Sequence, residues 1–292
     1  MAARVLRDQL FLLRPLVTNM SLTAVRQIQE AAMAYTAAAE DRLTRRDWNP
    51  GGMAGAVVVP DAPAPDGKVL LYLHGGGYNT GDIGYCVGVS RLLAATTGRP
   101  VYTGAYRLAP EHPFPAAPED AYTLWKALLA EGRSPEQVTV VGESAGGGLL
   151  FALCLLLKER GEPMPGFLCA ISPWVDLTLS GASYRTNRRK DPALTKRELR
   201  GHARRYAPGQ EKDPLASPLF GDLAGLPPTL LTVGGNEILL DDAVRMALRL
   251  AEAGVPCEIR IEPGLWHAYP LYPIPEGRDA LAKLAKRMEE LP

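Results

Sequence analysis

The sequence predicts an α/β fold, with a mostly parallel central sheet, helices on both faces and a helical cap. Three observations carry it. From Ala56 onward, short β-branched and apolar runs alternate with helical patterns, which is the signature of strand–helix units and hence of a parallel sheet. One such run, Val138-Thr139-Val140-Val141, leads through Gly142-Glu143-Ser144-Ala145-Gly146 into Gly147-Gly148 and the apolar stretch 149–157. That reads as strand, tight turn and helix, with a serine at the apex. Finally, a chain of 292 residues with no flexible linker suits one core carrying a substantial insertion.

Residues 6–46 read as helical, because Leu22, Val25, Ile28, Met33 and Leu43 recur at roughly helical spacing among alanines and charges. Strands follow over 56–59, 69–73, 101–104, 138–141, 167–171, 229–233 and 257–261. Between them lie helical patterns over 86–97, 118–131, 145–160, 239–253 and 277–291, each bounded by Gly or Pro. Right-handed crossovers place these helices on both faces of the sheet. From Trp174 to Asp213 the alternation stops, and a polar, arginine-rich stretch with one helical pattern, 195–206, takes its place. The expected organisation is an N-terminal helical cap segment (1–48), a first part of the core (49–178), a cap insertion (179–212) and a second part of the core (213–292).

Lys plus Arg and Asp plus Glu each total 32, and no basic run interleaves with aromatics, which argues against nucleic acid as a partner. Cys86, Cys154, Cys169 and Cys257 are far apart and never make a Cys-x-x-Cys spacing, so buried free thiols are expected rather than a metal or redox site. The apolar run 10–13 is broken by Arg14 and Pro15, shorter than the core of a secretory signal. The stretch 149–157 falls short of the ~20 residues that span a bilayer. The expectation is a cytoplasmic protein without a transmembrane segment.

The turn at Ser144 fits neither nucleotide motif. A phosphate cradle needs lysine where Gly148 stands, and a dinucleotide fingerprint needs glycine at Ser144. A serine used as a nucleophile requires a base, an acid to orient that base, and donors for an oxyanion. Of the four histidines, His74 opens a glycine run, His112 lies in a proline-rich segment and His202 falls in the insertion. That leaves His267, just past the last strand and in the chain order serine, acid, histidine. Glu237, in the loop after strand 229–233, is the candidate acid. Asp241 and Asp242 are its rivals, although both fall in the following helix, where acidic residues suit the helix dipole. His74-Gly75-Gly76-Gly77 follows strand 69–73 and reads as the oxyanion loop, since backbone without side chains lets N–H groups approach a reacting carbonyl. The N–H of Ala145 would be a further donor. Acyl transfer by such a set needs no metal and no organic cofactor.

Taken together, these segments resemble the hormone-sensitive lipase-like family of α/β-hydrolase esterases over nearly the whole chain. The matching stretches are His74 to Gly77, Tyr106-Arg107-Leu108-Ala109-Pro110-Glu111, Gly142 to Gly146, Ser172-Pro173-Trp174-Val175-Asp176-Leu177, and His267. The resemblance implies the α/β-hydrolase fold, a nucleophile at Ser144, a base at His267 and oxyanion donors at Gly76, Gly77 and Ala145, with His74 and the 106–111 segment in support. It also implies a helical cap over an acyl pocket, and it allows a homodimer. Because a cap limits the pocket and no large membrane-docking surface is evident, the expected reaction is hydrolysis of carboxylic esters with short to medium acyl chains through an acyl-enzyme. Members often carry aspartate as the acid, where this chain has Glu237. The same triad would serve a lactone hydrolase or a deacetylase. A binding protein on a hydrolase scaffold is the alternative outside the enzymes.

Overall fold

The computed structural model describes residues 2–18, 20–27 and 42–290. Eight strands form one sheet: β1 (Leu43–Trp48), β2 (Gly55–Pro60), β3 (Val69–Leu73), β4 (Val101–Gly104), β5 (Val138–Glu143), β6 (Phe167–Ile171), β7 (Thr229–Gly234) and β8 (Cys257–Glu262). Their order is β1-β2-β4-β3-β5-β6-β7-β8. The first two are antiparallel additions, and every ladder from β4 to β8 is parallel. The expected α/β-hydrolase architecture is therefore present.

The helices are α1 (Ala3–Thr18), α2 (Ile83–Thr97), α3 (Ala116–Ala130), α4 (Ala145–Arg160), α5 (Ser183–Thr186), α6 (Lys196–Tyr206), α7 (Leu240–Glu252) and α8 (Pro275–Glu289). Residues 22–27 are also helical. Strand side chains alternate between two apolar layers. Leu71 and Leu73 face a core shared with α3, α4 and α7, while Leu70 and Tyr72 face one shared with α2 and α8. Burial on both faces explains why the central strands read as continuous apolar runs. In α4 every residue from Ala145 to Leu157 is buried, so this helix is apolar all round rather than amphipathic.

One expectation is corrected. The helical reading through Arg46 fails, because residues 43–48 form the edge strand β1, paired antiparallel with β2 from Leu43↔Pro60 to Trp48↔Gly55. Thr44 to Asp47 are exposed, so no buried stripe marks the strand, and its ladder partner lies further along the chain. Charged residues on an edge also block pairing with a second chain. The boundary at residue 48 thus cuts after a core strand. Ile28 and Met33, also read as helical, lie outside the described residues. Cys86, Cys154 and Cys169 are buried free thiols as expected, whereas Cys257 is half-buried.

The chain enters α6 through a capping box. Thr195 accepts from the Glu198 N–H, while the Glu198 carboxylate accepts from the Thr195 N–H at 2.8 Å. Thr195→Ala should lower the unfolding free energy by about 1 kcal/mol. Chemical denaturation measures it, and an unchanged midpoint would show that the cap contributes nothing.

Candidate active site

Ser144 is the residue between β5 and α4, at φ 55° and ψ −119°. A non-glycine residue in this region costs about 1–3 kcal/mol, so the surroundings must hold it there. They do so through its backbone: the Ser144 N–H donates to the Ile171 carbonyl (2.9 Å), and its carbonyl accepts from Gly148 and Trp174 (3.1 and 2.9 Å). The flanking glycines are required by space. A methyl group at Gly142 would run into the Gly146 backbone, and one at Gly146 into the Leu73 and His74 carbonyls. The turn therefore presses against the end of β3, which brings the glycine loop beside the serine.

Glu237 and His267 meet in the loops after β7 and β8. His267 Nδ1 lies 2.9 Å from Glu237 Oε2, and a carboxylate partner there assigns the ring proton to Nδ1. The other oxygen of Glu237 accepts from the Gly234 N–H (2.5 Å) and from the Ser172 hydroxyl (2.8 Å). Ser172 in turn accepts from the Ala268 N–H at 3.0 Å, tying the acid to the residue after the histidine. The loop that carries Glu237 is pinned by residues 187 and 191 as well. Asn187 donates to the Glu237 carbonyl (2.9 Å), and Asp191 accepts from the Ile238 N–H (2.9 Å). Burial alone would lower the His267 pKa, but the hydrogen bond and charge of Glu237 outweigh it, and the net direction is upward. Glu237 is fully buried, and Ser144 and His267 are each 8% exposed.

The rival acids are engaged elsewhere. Asp241 accepts from the Ser183 N–H (3.0 Å), and the buried Asp242 accepts from the Val175 and Asp176 N–H groups (3.1 and 3.0 Å). Burial, with Asp176 nearby, raises the Asp242 pKa well above the usual carboxylate range.

The loop after β3 is clamped one peptide at a time. His74 Nδ1–H donates to the Gly75 carbonyl (2.7 Å). The Gly76 carbonyl accepts from the Asn79 and Thr80 N–H groups (both 3.0 Å) and from the Thr80 hydroxyl. In a trans peptide the N–H points opposite to the preceding carbonyl, so these bonds orient the Gly76 and Gly77 N–H groups. Gly76 and Gly77 stand at φ 101° and 62°, a backbone that side chains disfavour. The His74 ring stacks on Tyr106 at 3.9 Å, and burial lowers its pKa to about 4, keeping it neutral.

Ser144, His267, Gly76 and Gly77 line one pocket of about 510 Å³. It is also lined by Leu194, Leu199 and His202, on and just before α6, and by Met20, Leu22 and Val25 near the N-terminus. Sequence reasoning missed His202 as a pocket residue. Its ring lies against Gly77, where a methyl group would come within 2.7 Å of it. Burial and then Arg205 lower its pKa to about 4. Ser172, Asp191 and Glu143 were likewise not singled out. For Glu143 a signal existed, since a charged residue closes a strand buried along its whole length. Among the described residues, no group of three or more His, Cys, Asp or Glu side chains is placed to hold a metal ion. No described helix is long and apolar enough to cross a membrane.

The α/β-hydrolase fold family matches residues 70–271, and the chain belongs to that family. It is 42% identical over 219 residues to an acetyl-hydrolase of Streptomyces hygroscopicus, covering 74% of this chain and 73% of that protein. It is 36% identical over 239 residues to an esterase of Acinetobacter venetianus, covering 80% and 78%. Among solved structures, an esterase from the bacterial hormone-sensitive lipase family superposes with a TM-score of 0.91 at 32% identity, covering 100% of this chain and 99% of that one.

Proposed function

We propose that the protein is a serine carboxylesterase that hydrolyses esters of short to medium acyl chains through an acyl-enzyme intermediate. The observation that carries this reading is the buried Glu237 hydrogen-bonded to His267, which lines one pocket with the strained Ser144 and the clamped glycine loop. In this mechanism Glu237 holds the His267 proton on Nδ1, leaving Nε2 to take the Ser144 proton as Oγ attacks the ester carbonyl. The N–H groups of Gly76, Gly77 and Ala145 hold the oxyanion. Collapse breaks the bond to the alcohol, which leaves with the proton from His267. Water, deprotonated by the same ring, then releases the acid and restores the serine. The N-terminal segment before β1 and the 179–212 insertion act together as the cap, since both supply walls to the pocket. The relative named acetyl-hydrolase supports the short end of the acyl range.

Labelling with a fluorophosphonate and turnover of p-nitrophenyl esters of graded chain length test the reading together. Labelling at Ser144 with turnover falling as the chain lengthens is expected. A protein that neither labels nor turns over would be a binding scaffold, and a preference for long chains would overturn the acyl range.

A further inference from the structure

Glu143, the residue before the elbow serine, has no part in the mechanism above, yet it is a buried carboxylate that lines the same pocket. A buried charge without partners costs several kcal/mol, so its neighbours show what it does there. It has three donors, each at 2.7 Å. The Tyr72 hydroxyl binds Oε2, while the Tyr85 hydroxyl and the Gly75 N–H both bind Oε1.

The bond to Gly75 reaches the glycine loop at its root. The N–H of Gly75 and the carbonyl of His74 lie on opposite edges of one peptide plane. The carbonyl accepts from the Tyr106 hydroxyl at 2.8 Å, so the plane is held on both edges. The next two planes are held by His74 and by Asn79 with Thr80. Of these clamps only Glu143 brings an acceptor that carries a charge when deprotonated, and bonds to charged acceptors are roughly twice as strong as neutral ones.

Gly75 supports this independently. Unlike Gly76 and Gly77, it does not stand at positive φ, so conformational freedom does not explain the glycine. Space does. A methyl group there would lie 2.5 Å from Glu143 Oε1 and 2.9 Å from the Glu143 carbonyl oxygen. The first glycine of the run is absent a side chain because the carboxylate occupies that place. Tyr85 also lines the pocket, so one carboxylate fastens the loop and a pocket wall together.

Resting on the esterase reading, we propose that Glu143 is a positioning residue. Its carboxylate fixes the His74–Gly75 peptide plane, and through the clamped planes that follow it aims the Gly76 and Gly77 N–H groups at the oxyanion.

The pH dependence makes this testable. The groups facing Glu143 are Tyr72 on β3, Tyr85 and Cys86 on α2, Tyr106 after β4, and His267. The three phenols and the thiol are pushed up by burial and stay protonated. Burial raises Glu143 to about 7, with its three donors pulling the other way. Protonation makes the carboxyl a neutral acceptor that must itself donate, which loosens its hold on Gly75. As pH falls, His267 takes a proton as well, so the acid limb of kcat/KM involves two protons.

Three variants should be compared with the parent on one aryl ester across that limb. Glu143→Gln keeps an acceptor for Gly75 but no charge. It should lower kcat about tenfold with KM within about twofold, the pattern of a group that acts in the transition state. Its acid limb should become a one-proton limb and move to lower pH, because the Glu143 charge no longer raises His267. Glu143→Ala orphans all three donors and should cost kcat about a hundredfold, the scale of a misplaced reacting geometry. Tyr72→Phe removes a donor that lowers the Glu143 pKa, so its limb should move to higher pH. Parental kcat with an unchanged two-proton limb in Glu143→Gln, a loss confined to KM, or an unmoved limb in Tyr72→Phe would each overturn the proposal. Because Gln retains the hydrogen-bonding shape, misfolding of the alanine variant does not decide the matter. An active parent with unaffected variants strikes this proposal alone, whereas an inactive parent strikes the esterase reading as well.

Discussion

Ser144→Ala is expected to reduce turnover of an aryl ester by on the order of 10⁴-fold or more and to abolish fluorophosphonate labelling, with thermal stability close to the parent. In the proposed mechanism the hydroxyl oxygen is the atom that becomes acylated, and the methyl group of alanine cannot replace it. Alanine fits the same turn, since it carries the same Cβ at the same strained φ and leaves the bonds to Ile171, Gly148 and Trp174 in place. Rate measurement beside a melting curve separates chemistry from folding. Turnover near the parental value would place the nucleophile elsewhere.

The second large effect is expected for Glu237→Gln, at a hundredfold to about ten-thousandfold in kcat. The amide oxygen would keep the bonds from Gly234 and Ser172, turning the amide nitrogen toward His267. A donor facing Nδ1 drives the ring proton to Nε2, and that tautomer does not accept the serine proton. Asp241→Asn should change kcat by no more than a few-fold, since its carboxylate holds the Ser183 N–H and lies outside the histidine's contacts. Both variants are assayed on one ester. A severe defect in Asp241→Asn beside a near-normal Glu237→Gln would move the acid onto α7.

The strands were legible where both faces are buried, because a run such as Val69 to Leu73 then contains nothing but apolar residues. β1 was not legible, because its residues 44–47 face solvent and β2 supplies the pairing that makes it a strand. The same division holds at the site. Ser144, Glu237 and His267 each follow a readable strand, and the glycine loop follows another. Ser172 and Asp191 act through hydrogen bonds to Glu237 and Ile238, across 65 and 47 residues of chain; Ser172 opens a matching stretch, but nothing local tells which distant group it serves, and nothing marks Asp191. His202 was read as part of the 179–212 stretch, but its seat on Gly77 depends on how α6 docks.

The strand order has a consequence for how the chain matures. The glycine loop, Ser144, Ser172, Glu237 and His267 follow β3, β5, β6, β7 and β8, which are successive neighbours in the sheet. Each of those parallel ladders joins segments separated by a crossover, and such non-local pairing forms slowly. A ribosome delivers the amino-terminal strands first. The elbow can therefore form around its serine while the histidine is still unsynthesised, and on the proposed mechanism Ser144 acquires its base only once β8 docks. A chain in which β8 has not docked thus holds Ser144 in its elbow without His267 beside it.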